Sequence, residues 1–279
     1  MHIIQLGWTK HCVTSTLAFD ILQFFPSLNH WLLTWIIHKV GLGTWVVKFF
    51  SNYLIERKTN YLWNNFSSSI FNINIGVGQG SALSPILSAL YLSPFLYILE
   101  KCLKNIKILV SIISFIDDGL FISQDKVFDV SNSQLFCSYN VMTNLLDKFG
   151  LTIEHSKTEV FHFSRLHGPF NPPPLDLSLL GRPILSPKNS WKYLGFIFNR
   201  KLTFHQHVNF YSNKALSSVK CMKLLENSSH SITPLQKCLL YRYCILLIAL
   251  YSFQLWFYHH ASLSYLLKAL RKMQRRVAI

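Results

Sequence analysis

Acidic side chains are scarce in this 279-residue chain: 12 Asp and Glu stand against 27 Lys and Arg, leaving a net charge of +15. Charged residues of both signs make up only 14% of the sequence, while half of it is hydrophobic and 15% aromatic, so the low hydrophobicity that keeps a polycation disordered is absent. With 11 glycines, 10 prolines and no internal repeat, the composition is not collagen-like. The six cysteines, Cys12, Cys102, Cys137, Cys221, Cys238 and Cys244, form no C-x-x-C pair and no dense framework, which argues against a disulfide scaffold and for a reduced, intracellular setting. His205 with His207, and His259 with His260, have no flanking cysteines, so structural zinc is not expected. The N-terminus lacks a basic region followed by an apolar run, so no secretory signal is expected either.

What is present is the material for a large core and a strong attraction for polyanions. A positive surplus of this size on a well-patterned globular chain points to nucleic acid, and less often to an anionic membrane surface. One hydrophobic run, Leu239 to Tyr258, is long enough to cross a bilayer as a helix. Arg242 and Gln254 interrupt it, and a protein core can bury such a run equally well, so a membrane is not the expected partner.

The residues from Cys12 to Phe19 are short, β-branched or apolar and read as a buried strand that delivers Asp20 at its end. From Trp31 to Leu54 apolar residues recur near helical spacing around Gly41-Leu42-Gly43, which predicts two helices and a turn. Thr59 to Gly80 reads as extended and then glycine-rich. Ser84-Pro85 has the form of an N-cap followed by a helix start, with apolar residues to Leu103 and a kink expected near Pro94. Ile106 to Ile116 and Leu120 to Ile122 are β-prone on either side of Asp117-Asp118-Gly119, a hairpin with two carboxylates at its tip. Asn140 to Phe149 reads as an amphipathic helix, Val160 to Phe163 as a strand, and the proline-bearing stretch Leu166 to Ser190 as a long loop or linker. Trp191 to Phe198 is again strand-like, and helical patterns dominate from about His205. The expected fold class is α+β, with an antiparallel sheet flanked by helices over 1–200 and a helical region over 201–279.

Asp117 and Asp118 stand side by side in an apolar run, where a carboxylate is costly unless it is paired or metal-bound. A favoured Asp-Gly turn accounts for Asp118 with Gly119 but leaves Asp117 unexplained. Asp20, at the end of a separate apolar strand, is the natural third member, although a strand-end Asp can equally be a cap. Near the C-terminus, Lys268, Arg271, Lys272, Arg275 and Arg276 recur at helical spacing on one face, with Leu266, Leu270, Met273 and Val277 on another. Backbone phosphates suit such a stripe, as does plain solvent.

The ordered series Phe19-Asp20-Ile21-Leu22-Gln23-Phe24-Phe25-Pro26-Ser27, Gly76-Val77-Gly78-Gln79-Gly80-Ser81-Ala82-Leu83-Ser84-Pro85, Phe115-Ile116-Asp117-Asp118, Gly150-Leu151 with Lys157-Thr158-Glu159, and Tyr193-Leu194-Gly195 resembles the successive palm motifs of reverse transcriptases, in the form found in non-LTR (LINE-like) retrotransposons. The resemblance covers about residues 15 to 200, and the helical remainder is similar to the thumb-side region of those elements. It implies a polymerase palm followed by a thumb-like region. The implied reaction is RNA-templated addition of deoxynucleotides to a primer 3′-OH, on an RNA template with a DNA primer, in the nucleus.

The resemblance also implies roles for single residues. Asp20 and Asp117 would hold two Mg²⁺ ions, with Asp118 supporting the metal site or the primer end. Ile21 would lend its backbone to the triphosphate, and Phe25 would sit under the sugar and exclude a ribose 2′-OH. Gln79 and Gly80 would touch the incoming nucleotide, Lys157 would be a general acid toward pyrophosphate, and Tyr193, Leu194 and Gly195 would grip the primer. Two departures stand out. Only nineteen residues precede Asp20, too few for the usual fingers region, and Gly78 stands where the family commonly has Pro. No endonuclease module or cysteine-rich knuckle is seen, so the expectation is a truncated element whose target nicking comes from a protein in trans.

Overall fold

A computed structural model describes residues 1–165, 171–226, 233–257 and 263–277. Two compact units are formed, one of Met1–His162 with Leu166–Pro187 and the other of Phe163–Arg165 with Lys188–Ile279. The strands in chain order are β1 (Val13–Asp20), four two-residue strands β2 (Lys58–Thr59), β3 (Leu62–Trp63), β4 (Phe66–Ser67) and β5 (Phe71–Asn72), then β6 (Val110–Phe115), β7 (Asp118–Asp125), β8 (Glu159–Phe163), β9 (Ser190–Tyr193) and β10 (Phe196–Asn199). The main sheet has the order β6-β7-β1-β8, with β1 antiparallel to β7 and β7 antiparallel to β6.

Every residue of β1 from Val13 to Phe19 is buried, and only Asp20 emerges. Such a strand must satisfy its own polar groups internally, since water cannot reach them. Thr16 Oγ1 donates to the Phe161 carbonyl at 3.0 Å, and Ser15 Oγ lies 2.8 Å from His162 Nδ1. The helices Ser84–Asn105 and Phe128–Lys148 pack on the sheet, with Tyr91, Phe95, Leu99, Leu135, Tyr139 and Met142 fully buried around Leu17 and Phe121. The two expected helices before them are present as His30–Lys39 and Thr44–Leu54. The α+β class with an antiparallel sheet, flanking helices and a largely helical remainder is the observed one.

Several local expectations are corrected. The helix read from Asn140 begins at Phe128, and its first half carries polar residues that hide the periodicity. Ser138 and Asn132 are accommodated inside, the Ser138 hydroxyl donating to the Gln134 carbonyl and Asn132 Nδ2 to the Pro173 and Pro174 carbonyls, while the exposed Ser133 hydroxyl bonds back to the Asp129 carbonyl. The hairpin turn is Ile116-Asp117, because Phe115 pairs with Asp118, so Gly119 belongs to the strand. Ser84 is the first helical residue, and its hydroxyl donates to the Gly78 carbonyl at 2.6 Å instead of capping the helix. The run from Leu239 stays helical through Ala249, passing from Pro234–Leu240 through a π-turn at Tyr241–Ile245 into Leu246–Ala249, and is interrupted before Phe253–Trp256, where Ser252 has φ +53°; Tyr258 lies outside the described residues. Among the described residues, the helix long and apolar enough to cross a membrane is instead Ser84–Asn105, eight of whose residues are buried in the core.

In the second unit, β9 and β10 form a hairpin with Tyr193 opposite Phe196. Leu194 (φ +46°) and Gly195 (φ +79°) make its two-residue turn, which requires positive φ at both central positions to match the strand twist. An aromatic cluster of Trp191, Phe198, Phe204, His207, Tyr211 and Tyr251 surrounds it. The Leu263–Val277 helix buries Leu266, Leu270 and Met273 and exposes Lys268, Arg271, Lys272 and Arg275. The side chain of Arg276 lies outside the described residues.

Candidate active site

Three carboxylates converge where β1 ends. Asp20 is the cross-strand partner of Asp118, Asp117 sits in the adjoining turn, and the Ile21 amide donates to the Asp117 carbonyl at 3.3 Å. The turn is tight enough to place Ile116, a β-branched residue, at φ +57°. Lys157 arrives from another direction. The Glu154 amide donates to the Asp20 carbonyl at 2.8 Å, so the short 3₁₀ turn His155–Lys157 lies beside β1, and Lys157 Nζ forms an ion pair with Asp20 Oδ2 at 2.5 Å. That turn is anchored to the Phe128–Lys148 helix by Tyr139, whose hydroxyl lies 2.5 Å from His155 Nδ1.

The electrostatics follow from crowding. Partial burial pushes the Asp118 carboxyl up, the negative charges of Asp117 and Asp20 push it further, and Lys157 pulls it back. Lys157 is itself raised by its hydrogen bond and charge pairing with Asp20. Replacing Lys157 with Met is therefore expected to raise the Asp118 titration midpoint, read by carbon-13 NMR of the side-chain carboxyls; an unchanged midpoint would show that the ammonium does not reach the cluster.

The expectation of two Mg²⁺ ions at Asp20, Asp117 and Asp118 is corrected. Among the described residues no group of three or more His, Cys, Asp or Glu side chains is arranged to hold a metal ion. The physical reason lies at Asp20, whose Oδ2 already binds a side-chain cation, the Lys157 ammonium. As folded, these carboxylates do not fit a metal pair.

The glycine-bearing loop is tied to the same end of the unit. The Val77 amide donates to the Phe25 carbonyl at 2.9 Å and the Gly76 amide to the Leu28 carbonyl at 2.7 Å. Gly76 has φ +81°, and a Cβ there would press on the Pro26 backbone, so only glycine fits. Its carbonyl receives His30 Nε2 at 2.6 Å and Arg57 Nη1 at 3.3 Å. Gln79 and Gly80 are exposed, while Phe25 is half-buried against the core and Ile21 is buried, bridged to Ile153. In the second unit, Tyr211 donates to the Gly195 carbonyl at 2.7 Å and Tyr251 to that of Leu194 at 3.2 Å, clamping the Tyr193-Leu194-Gly195 tip.

No local sequence pattern singles out His30, Arg57, Tyr139, His155, Tyr211 or Tyr251. Each acts on a backbone carbonyl or another side chain far away in sequence. No spacing in the chain announces such a contact.

A family model described as reverse transcriptase (RNA-dependent DNA polymerase) matches residues 5–198. No curated protein matches the chain. Among solved structures, telomerase from Candida tropicalis in complex with a TWJ fragment of telomeric RNA is similar at 15% identity and TM-score 0.51, over 99% of this chain and 46% of that one. The Candida albicans telomerase with the corresponding RNA fragment is similar at 13% identity and TM-score 0.50, over 95% and 48%. Apo telomerase from Candida tropicalis gives 16% identity and TM-score 0.50, over 99% and 46%. At these identities the likeness is one of fold, and the chain spans about half the length of the telomerase chains it matches. Because the family model covers well over half of its length, the chain belongs to the reverse transcriptase (RNA-dependent DNA polymerase) family.

Proposed function

We propose that the chain adds deoxynucleotides to a primer 3′-OH on an RNA template, as the reverse-transcriptase domain of a LINE-like retrotransposon. The observation that carries this reading is the meeting of Asp20, Asp117 and Asp118 with Lys157 at the end of β1. In the reaction the primer 3′-oxygen attacks the α-phosphorus and pyrophosphate leaves. The half-buried Asp118, whose carboxyl is pushed up by burial and by the neighbouring negative charges, suits acceptance of the 3′-OH proton, and Lys157 suits donation of a proton to the leaving pyrophosphate. Phe25 would exclude the 2′-OH, Ile21, Gln79 and Gly80 would contact the nucleotide, and Tyr193, Leu194 and Gly195 would hold the primer. Lys268, Arg271, Lys272, Arg275 and Arg276 would meet backbone phosphates of the template and primer.

Primer extension on an RNA template tests the proposal. The wild-type chain is expected to extend the primer and Asp117→Asn to lose extension by at least 100-fold, with salt-sensitive template binding retained because phosphate contacts dominate affinity. Full extension by Asp117→Asn would show that the reacting centre lies elsewhere. A second reading, a nucleic-acid-binding relic without catalysis, is favoured by one observation, the occupation of Asp20 by Lys157. It predicts template binding with no extension by either protein.

A further inference from the structure

The segment between the Thr44–Leu54 helix and the Gly76–Gly80 loop carries a set of aromatic rings that serve no core. In β3 and β4, Trp63 lies directly opposite Phe66, so the two rings share one face of a two-stranded ribbon, 77% and 64% exposed. Nearby, Tyr61 (69% exposed) and Phe71 (38%) have ring centroids 5.3 Å apart. The ribbon is held by its backbone and small polar side chains: the Ser68 amide donates to the Tyr61 carbonyl at 2.9 Å, the Tyr61 amide to Ser68 Oγ at 2.8 Å, and Asn60 Nδ2 to Ser67 Oγ at 3.1 Å. Large apolar rings displayed in this way mark an interaction site.

The surrounding charge selects the partner. Apart from Glu56, which immediately precedes Arg57, no Asp or Glu occurs as far as Leu99, and Arg57 and Lys58, at the base of the ribbon, form no salt bridge among the described residues. Planar rings next to a net positive charge suit a partner with exposed π-faces on a phosphate backbone. A duplex hides those faces, whereas a single strand presents them.

We infer that the β3–β4 ribbon is a stacking platform for unpaired nucleotides, with Trp63 and Phe66 receiving bases while Arg57 and Lys58 attract the adjacent phosphates. The platform does not use the carboxylate cluster, so the inference holds whether or not the chain is a polymerase. Removing an aromatic base platform typically weakens binding by about tenfold per base.

Fluorescence anisotropy with a labelled 12-nucleotide oligouridine and a labelled RNA duplex, on the full chain and on the variant with both Trp63→Ala and Phe66→Ala, tests it. The double variant is expected to bind the single strand at least 30-fold more weakly, with the salt slope and the duplex affinity unchanged; Trp63→Tyr, which keeps a ring, is expected to retain most of the affinity. Both rings are exposed, so the variants keep their fold, which circular dichroism checks. Unchanged single-strand affinity in the double variant would overturn the inference, as would an equal loss on duplex and single strand. Sedimentation supplies a further contradicting outcome: a variant that binds RNA normally but no longer self-associates would make the ribbon a contact between copies of the chain.

Discussion

Gly119→Ala is expected to lower the stability of the first unit by about 3 kcal/mol, a cost typical of severe overpacking in a filled core. Gly119 is the cross-strand partner of Phe19, and a Cβ at 119 would fall among three ring carbons of that phenylalanine. The ring cannot swing away, because Phe19 is 4% exposed and packs against Phe121 at a centroid distance of 5.2 Å. The strain would fall between Asp118 and Leu120 on β7, one residue from the carboxylates, so loss of stability and loss of the Asp20–Asp118 pairing should arrive together. Chemical denaturation of Gly119→Ala, Phe19→Ala and the double variant measures the effect. The double variant should lose at least about 1 kcal/mol less than the two single losses added, because the second change removes the clash the first creates. Additive losses would mean that the ring and the glycine do not meet.

Acid should weaken the fold through His162. This side chain is 1% exposed, with Nδ1 on Ser15 Oγ and its ring edge-on to Phe128 at 5.0 Å. Burial pushes its pKa down from 6.5 to about 4, partly offset by the Pro173 carbonyl. The folded state therefore holds the neutral ring while the unfolded chain takes up a proton from about pH 6.5 downward. The stabilisation is fully present above that pH, declines as the pH falls, and is lost once the pH passes through about 4. Integrated over that window, the loss attributable to this group is about 3 kcal/mol. Denaturation midpoints between pH 7 and pH 4 for the wild type and His162→Gln test it, since glutamine can still bond Ser15 but does not titrate. The wild type should lose stability more steeply; parallel curves would show that His162 titrates alike in both states.

The strand ending in Asp20 and the paired helices around Gly41–Gly43 are local patterns found where the periodicity places them, and the hairpin carrying Asp117 and Asp118 is present with its turn shifted to Ile116-Asp117. The buried polar layer of Ser15, Thr16 and His162 is not a local pattern: Thr16 bonds the Phe161 carbonyl and Ser15 bonds His162 Nδ1 across the sheet, each pair more than a hundred positions apart. The same holds for Lys157, whose pairing with Asp20 spans 137 positions and decides that the carboxylates meet an ammonium. The expectation of a metal pair failed there because the residue types were right while their charge balance was set by a distant side chain. Gly119 was read as a turn residue from its neighbour Asp118, yet its use is to make room for Phe19 across the strand pair.

The Leu239 run shows the converse. Its apolar composition alone suggests one long helix, but positive φ at Ser252 ends the helical stretch that runs through the π-turn Tyr241–Ile245 to Ala249. Among its described residues, Ile245, Ala249 and Trp256 are the ones it buries.

The most direct test of the central claim is single-nucleotide incorporation opposite each of the four RNA template bases, with the wild-type chain beside Asp117→Asn. The account predicts that the complementary deoxynucleotide alone is added, and that Asp117→Asn adds none. Addition without regard to the template base, or equal addition by Asp117→Asn, would contradict it.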